Sequence, residues 1–198
     1  MLKRTLDLLC AGVGLVLLAP LLLGIALWIK LDSPGPMFFR QERVGRGGAL
    51  FRIHKFRTMR ADVSNAGPQI TVAADPRITR AGQFLRRAKL DELPQLIDVL
   101  AGTMSLVGPR PEVPRYVAMY PPELRDKVLS VRPGITDPAS IDYRDESALL
   151  ARAADPERAY IEEVMPAKLV CAARYVDQMS VLNDVRLIGA TLRSLWLR

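Results

Sequence analysis

Thiol and imidazole chemistry is nearly missing from this chain of 198 residues, which holds two cysteines, Cys10 and Cys171, and one histidine, His54. The cysteines are far apart and form no CxxC pattern, which excludes a disulfide framework or a thiolate zinc site and fits a reducing compartment. A lone histidine removes most zinc sites with several His ligands and leaves any Ser–His–Asp triad resting on His54. Aromatic residues are scarce, at 6%, and acidic residues are outnumbered 28 to 21, which leaves a formal net charge of +7. Such an excess predicts anionic partners: nucleic acid, acidic lipid or phosphorylated small molecules. An enzyme built from this stock works with carboxylates, arginines and a hard metal ion. Apolar residues, by contrast, make up 49% of the chain, enough to exclude disorder or low complexity. The length is that of one domain.

From Leu8 to Ile29 the sequence carries no charge: LLCAGVGLVLLAPLLLGIALWI. That run exceeds the roughly 18 apolar residues at which a membrane helix is the default reading, and it is too long for the apolar region of a cleaved signal peptide, about 7–15 residues. A buried core helix is the bland alternative. A straight helix of this length reaches about 33 Å, enough to span the hydrocarbon layer. Pro20, however, sits near the middle, where it removes a backbone hydrogen bond and crowds the preceding turn. Lys3 and Arg4 precede the run, while Lys30, Arg40, Arg43 and Arg46 follow it. Basic flanks favour the cytoplasmic side, so both ends ask for the same side. A re-entrant helical hairpin kinked at Pro20 meets both demands; a spanning helix with a tolerated proline is the alternative.

Beyond the DSPGP turn cluster, two short strands are expected near Met37–Gln41 and Leu50–Lys55, joined by a Gly-rich turn at Gly45–Gly48. Arg40, Arg43, Arg46, Arg52, Lys55, Arg57 and Arg60 stand against Glu42 alone, which reads either as a solvated face or as a surface held against acidic headgroups. Residues 61–75 look like a loop. Pro76 opens a predicted helix with Ile78, Ala81, Leu85 and Ala88 on one face. A second helix, with Asp91 as its N-cap, carries Leu93, Leu96, Ile97 and Leu100 and ends at Gly102. SLVGPRPEVP and SVRPGITDP read as loops holding Arg110 and Arg132. Two helices, about Pro156–Val164 and Ala167–Val176, flank Pro166. Val181–Trp196 forms a basic amphipathic helix, suited to the membrane interface or to the core. The fold class is therefore α+β and mostly helical, with a membrane segment over 1–31 and a catalytic domain over 32–198.

The chemistry concentrates in RRAKLDELPQ. Acidic residues at a helix start are favoured by the cap and the dipole alone, which is the plain reading of Asp91 and Glu92. The functional reading makes one carboxylate a covalent nucleophile in phosphoryl transfer and its neighbour a ligand for Mg²⁺, with arginines clamping phosphate oxygens.

The order of the motifs adds to this. The apolar segment, GPMFFRQERVGRGGALFRIHKFRTM, RRAKLDELPQLIDVLAGTMSLVGPRPE and VRPGIT together resemble the bacterial sugar transferase family, the monotopic phosphoglycosyl transferases. The resemblance runs from about Leu2 to Thr136 and returns around Tyr175–Leu187. It implies transfer of a sugar phosphate from a UDP-sugar to polyprenol (undecaprenyl) phosphate, with release of UMP and the start of a surface glycan such as an exopolysaccharide or lipopolysaccharide. It further implies Asp91 as the nucleophile that becomes a phosphosugar-aspartyl intermediate and Glu92 as the Mg²⁺ holder. Arg86, Arg87, Arg110, Arg132, Lys55 and Arg57 are expected near the phosphates. The re-entrant hairpin would keep the protein on the cytoplasmic leaflet of the inner membrane among acidic lipids, in the minimal single-domain form; a homodimer is compatible with this.

Three positions depart from the family pattern. Ala19, not a serine, precedes Pro20. RPGITDPASIDYRDE replaces a common RPGITGWAQVNGR stretch, which bears on the donor. Ala172 stands where an acidic residue is often seen, with Asp137, Asp142 or Asp145 as substitutes. A catalytically silent membrane-surface scaffold of glycan assembly is the competing class, and Mg²⁺-dependent UMP release discriminates the two. A hydrolase using the same intermediate would release sugar phosphate without lipid. Nucleic-acid binding predicts no apolar hairpin and is set aside.

Overall fold

A computed structural model describes residues 2–61, 75–143 and 145–196 of the chain. It is mostly helical, with two small two-stranded sheets. The first helix, α1 (Leu2–Asp32), is one continuous element with Pro20 inside it, and it is long and apolar enough to cross a membrane by length and composition. Only a narrow stripe faces the rest of the molecule. Ala11 packs with Ile53, Val99 and Met104, while Ile25 and Ile29 pack with Phe56 and Leu85. Leu17, Leu23, Leu27 and Leu31 are exposed on the opposite side.

Polar groups pin both ends of α1. Near its start the buried Asp7 accepts hydrogen bonds from the Ser105 hydroxyl (2.8 Å) and the Leu106 amide (3.1 Å). Lys3 donates to Asp184 at 2.6 Å, and Tyr175 donates to the same carboxylate at 2.6 Å. At its end, Arg57 donates to the carbonyls of Ile29, Ser33 and Pro34, and Asp32 accepts from the Ala81 amide. A cation on the last carbonyls of a helix satisfies groups that have no intrahelical partner and complements the dipole. Gly35 (φ 119°) permits this arrangement, because a Cβ there would lie 2.1 Å from the Arg57 guanidinium.

Strands β1 (Phe38–Val44) and β2 (Leu50–Phe56) pair antiparallel from Phe38↔Phe56 to Val44↔Leu50. Both are longer than the sequence pattern suggests, because cross-strand pairing continues past the apolar residues. The turn between them uses Gly47 and Gly48 at positive φ. Helix α2 is shorter than expected and spans Arg80–Ala88 with Thr79 as its N-cap; Ile78 instead bridges to Met59. Asp91 is not a helix cap. Lys89 turns left-handed (φ 57°), a single 3₁₀ turn carries Leu90–Glu92, and α3 (Gln95–Ala101) begins only after Pro94. Most of the expected loop at 61–75 lies outside the described residues.

The two Pro/Gly segments expected to be loops each contain a buried strand. β3 (Ser105–Val107) and β4 (Gly134–Thr136) pair parallel. Beside them Gly108 and Gly134 meet backbone to backbone: a Cβ on Gly134 would lie 2.0 Å from the Gly108 nitrogen. Short helices α4 (Pro114–Val117), α5 (Pro122–Leu129), α6 (Pro138–Asp142), α7 (Glu146–Leu150) and α8 (Pro156–Ala159) lead to α9 (Met165–Asp177) and α10 (Val181–Trp196). Pro166 is not a break between helices. A π turn over Tyr160–Val164 joins α8 to α9, and Pro166 lies in the first turn of α9. A second core forms here from Val113, Tyr116, Leu150, Tyr160, Val164 and Met165.

Candidate active site

The abrupt turn after α2 brings the two acidic residues between β2 and the loop that follows β3. Lys55, next to last in β2, donates to Glu92 Oε1 at 2.8 Å. Arg110, on the loop after β3, donates from both guanidinium nitrogens, one at 3.1 Å to Oε2 and the other to Oε1. Burial alone would raise the Glu92 carboxyl, but Arg110 and Lys55 outweigh it and hold the group well below the usual carboxylate range. Burial likewise lowers the Lys55 ammonium, against the pull of Glu92.

Asp91 differs from its neighbour. Its Oδ1 is buried and has no hydrogen-bond partner among the described residues. Burial and the adjacent Glu92 charge push its carboxyl upward, opposed by Lys55, Arg86 and Lys89. An unpartnered carboxylate oxygen in a cationic setting is costly to keep, so its persistence calls for a role beyond packing. Arg86, in the last turn of α2, feels the Asp91 charge and donates to Thr58 Oγ1 at 2.8 Å.

Lys55, Arg110 and Arg86 thus gather around the Asp91–Glu92 pair, Arg110 through Glu92 and Arg86 through Asp91. The others lie elsewhere. Arg57 is buried at the end of α1, where its guanidinium donates to the Ser33 carbonyl, while its amide bonds to Met37 one place beyond the Phe38↔Phe56 pair. Arg132 donates to the Gly102 carbonyl at the end of α3. Arg87 is exposed on α2. Asp137 is buried as the N-cap of α6, and Ala172 is buried in the core beside Val128 and Leu169.

One supporting layer was not legible in the sequence. Arg43 of β1 donates to Glu112 (3.0 Å), to Gln41 (2.6 Å) and to the Pro111 carbonyl (3.0 Å), and Tyr160 donates to Glu112 at 2.7 Å. This half-buried pair fixes the loop that carries Arg110. Glu112 could have been suspected as the acid that closes GPRPE; Tyr160 gave no signal at all. Arg110, Tyr160, Lys168 and Asp137 also line a cleft behind the site.

Among the described residues no three His, Cys, Asp or Glu side chains group as a metal cage. The oxygen donors at hand are Asp91 and Glu92, one of them with an open oxygen. Such a set suits Mg²⁺, which takes one or two carboxylates and completes its shell with phosphate oxygens and water. The donor chemistry fits.

The bacterial sugar transferase family matches residues 1–198. The chain belongs to that family. Among bacterial sugar transferases it is 38% identical over 195 residues to a UDP-N-acetylgalactosamine-undecaprenyl-phosphate N-acetylgalactosaminephosphotransferase of Aeromonas hydrophila, covering 98% of this chain and 43% of that protein. It is 37% identical over 195 residues to a UDP-glucose:undecaprenyl-phosphate glucose-1-phosphate transferase of Escherichia coli (strain K12), covering 97% and 39%. It is 40% identical over 200 residues to the exopolysaccharide production protein PSS of Rhizobium leguminosarum bv. phaseoli, covering 98% and 94%. The chain spans about two fifths of the length of the first two relatives and nearly all of the third.

Proposed function

We propose that this bacterial sugar transferase moves a sugar-1-phosphate from a UDP-sugar to polyprenol phosphate by way of a covalent Asp91 intermediate. The observation that carries this reading is the buried, unpartnered Asp91 Oδ1 beside a carboxylate already saturated by cations. The names of the relatives agree with the donor and acceptor classes and differ among themselves in the sugar.

In the first half-reaction, the Asp91 carboxylate oxygen attacks the phosphorus that bears the sugar. The bond from that phosphorus to the bridging oxygen breaks, and UMP leaves with that oxygen. In the second, an oxygen of polyprenol phosphate attacks the same phosphorus, the Asp91–phosphorus bond breaks, and the carboxylate is restored. Arg110 and Lys55 lie where they can pass from Glu92 to phosphate oxygens as negative charge develops. Glu92 would hold Mg²⁺, which when bound neutralises charge on the diphosphate.

The two substrates come from different phases, so the site belongs at headgroup level. Both ends of α1 are pinned to one body, at Lys3 and Asp7 and again at Asp32, which supports a re-entrant rather than a spanning arrangement. Pro20, exposed between the two anchors, lies where such a hairpin must bend. The basic flanks favour the cytoplasmic leaflet for the body.

The test is UMP release by the purified protein in nanodiscs with Mg²⁺ and a panel of UDP-sugars, with and without polyprenol phosphate. Lipid-dependent turnover with one donor, together with a stoichiometric burst in the absence of lipid, is the expected outcome. Turnover that survives Asp91→Asn overturns the nucleophile. Release of free sugar phosphate without lipid makes the protein a hydrolase, and binding to membranes without release from any donor makes it a scaffold.

A further inference from the structure

The sequence suggests that the cations of the β-hairpin form a surface for headgroups. The fold uses several of them internally: Arg43 is paired with Glu112, Lys55 with Glu92, and Arg57 with the end of α1. Two exposed arginines beside the end of the apolar helix lie on α2. Ala81, Gly82 and Leu85 face inward, against Thr58 and the Ile25–Ile29 stretch of α1. Arg80, Phe84 and Arg87, at i, i+4 and i+7, share the outward face. Neither arginine side chain has a hydrogen bond or ion pair among the described residues.

The ring between them has a partner in the apolar helix. Phe84, 52% exposed, meets Trp28 of α1, 40% exposed, with ring centroids 5.5 Å apart. Leu23, Leu27 and Leu31 of α1 are exposed on the same helix as Trp28, and the Trp28–Phe84 contact extends that apolar surface onto the outer face of α2. Trp at such a junction is what a water–lipid boundary selects. Arg80 and Arg87 are about 10 Å apart along the helix axis, a gap that two extended guanidiniums can close above Phe84. The helix then delivers the chain through Lys89, also exposed, directly to Asp91.

We propose that this face of α2, with Arg80 and Arg87 flanking the Phe84–Trp28 pair, is the docking surface for the phosphate monoester of the lipid acceptor. The proposal rests on the acceptor assignment made above. A phosphate monoester carries close to two negative charges at neutral pH, against one for the phosphodiester of a bulk acidic lipid, and forked guanidinium donors favour it. Its apolar chain would lie along the exposed leucines of α1. From there the phosphate has one short helix, edged with cations, to follow to the nucleophile.

The experiment reads binding and needs no turnover, so it stays informative if UMP release is never seen. A Trp196→Phe variant leaves Trp28 as the only tryptophan. Its emission is followed in phosphatidylcholine nanodiscs as polyprenol phosphate is added, and separately as phosphatidylglycerol is added. A saturable change with polyprenol phosphate is expected, with a midpoint about 25-fold higher in Arg80→Gln/Arg87→Gln, since each cation near an acidic surface is worth about fivefold. Phe84→Ala should weaken binding as well, and Arg174→Gln, an exposed cation on α9, should not. The proposal fails if wild type shows no change, if the double variant titrates like wild type, or if phosphatidylglycerol gives the same change at the same mole fraction. The last result makes bulk acidic lipid the occupant.

Discussion

Asp91 and Glu92 are neighbours in the chain with opposite surroundings: both oxygens of Glu92 accept from Lys55 and Arg110, whereas Oδ1 of Asp91 is buried without a hydrogen-bond partner among the described residues. Environments that push two adjacent carboxyls in opposite directions let them take different roles.

Asp91→Asn keeps the shape and removes the nucleophile. UMP release should fall by about 10³-fold or more, both in the burst and in turnover. The thermal midpoint should hold or rise, because an unpaired buried charge is lost. A variant that is inactive because it melts early would show that Asp91 acts on stability instead.

For Glu92→Gln the effect is expected in both quantities. Lys55 and Arg110 would lose their shared anion, and removing one partner of a buried ion pair costs on the order of 3 kcal/mol. Denaturant unfolding of wild type, Glu92→Gln, Lys55→Met and the double variant forms a cycle that should show coupling of about 1–3 kcal/mol. Additive effects would contradict the pairing.

Part of the acid sensitivity, beside that of Glu92, should trace to Glu112. Burial acts to raise its carboxyl, yet Arg43 and the Tyr160 hydroxyl hold it below its ordinary value. A carboxyl depressed in the folded state contributes stability above its unfolded value, and that stability is lost as pH falls through the folded one. Wild type should therefore lose stability below about pH 4.3, the ordinary glutamate value. Glu112→Gln should be weaker at neutral pH and lose less on acidification. Parallel curves for the two proteins would rule Glu112 out.

Gly108→Ala tests the backbone contact that supports the Arg110 loop. The added Cβ would lie 2.5 Å from the Arg132 carbonyl oxygen and 2.9 Å from the Gly134 nitrogen. Forcing these strand ends apart should cost about 1–3 kcal/mol and raise KM for the donor more than it changes the burst amplitude. Wild-type stability and kinetics would show that the loops separate freely.

The re-entrant arrangement predicts accessibility. Leu2→Cys and Leu31→Cys, both at exposed positions, would be made in a Cys10→Ser/Cys171→Ser background. A maleimide that cannot cross membranes should label both from the cytoplasmic face only. Labelling from opposite faces would establish a spanning helix.

The apolar segment and the hairpin were legible because each rests on local chemistry, an uncharged run and alternating strands around glycines; the acids beside Pro94 stood out too, but as a helix cap where the structure has a 3₁₀ turn. Lys55 and Arg57 were both expected near the phosphates, yet only Lys55 reaches Glu92; that Arg57 closes α1 instead depends on Ser33 and Pro34, which no local pattern ties to it. β3 and β4 were hidden because strands of three residues among prolines and glycines carry no periodicity. The Arg43–Glu112–Tyr160 contacts join residues far apart in sequence, and no local pattern foretells them.

The anchors of α1 also set an order of events during synthesis. Lys3 awaits Asp184, and Asp7 awaits Ser105, while the apolar stretch leaves the ribosome before either partner. At about 5–20 residues per second, on the order of ten to thirty seconds pass between completion of α1 and arrival of its last partner. Until its own partner emerges, each of these two groups faces water or headgroups alone. The nascent helix must therefore settle in the bilayer before the body that fixes its orientation exists, and its own basic flanks and proline hold it there in the meantime.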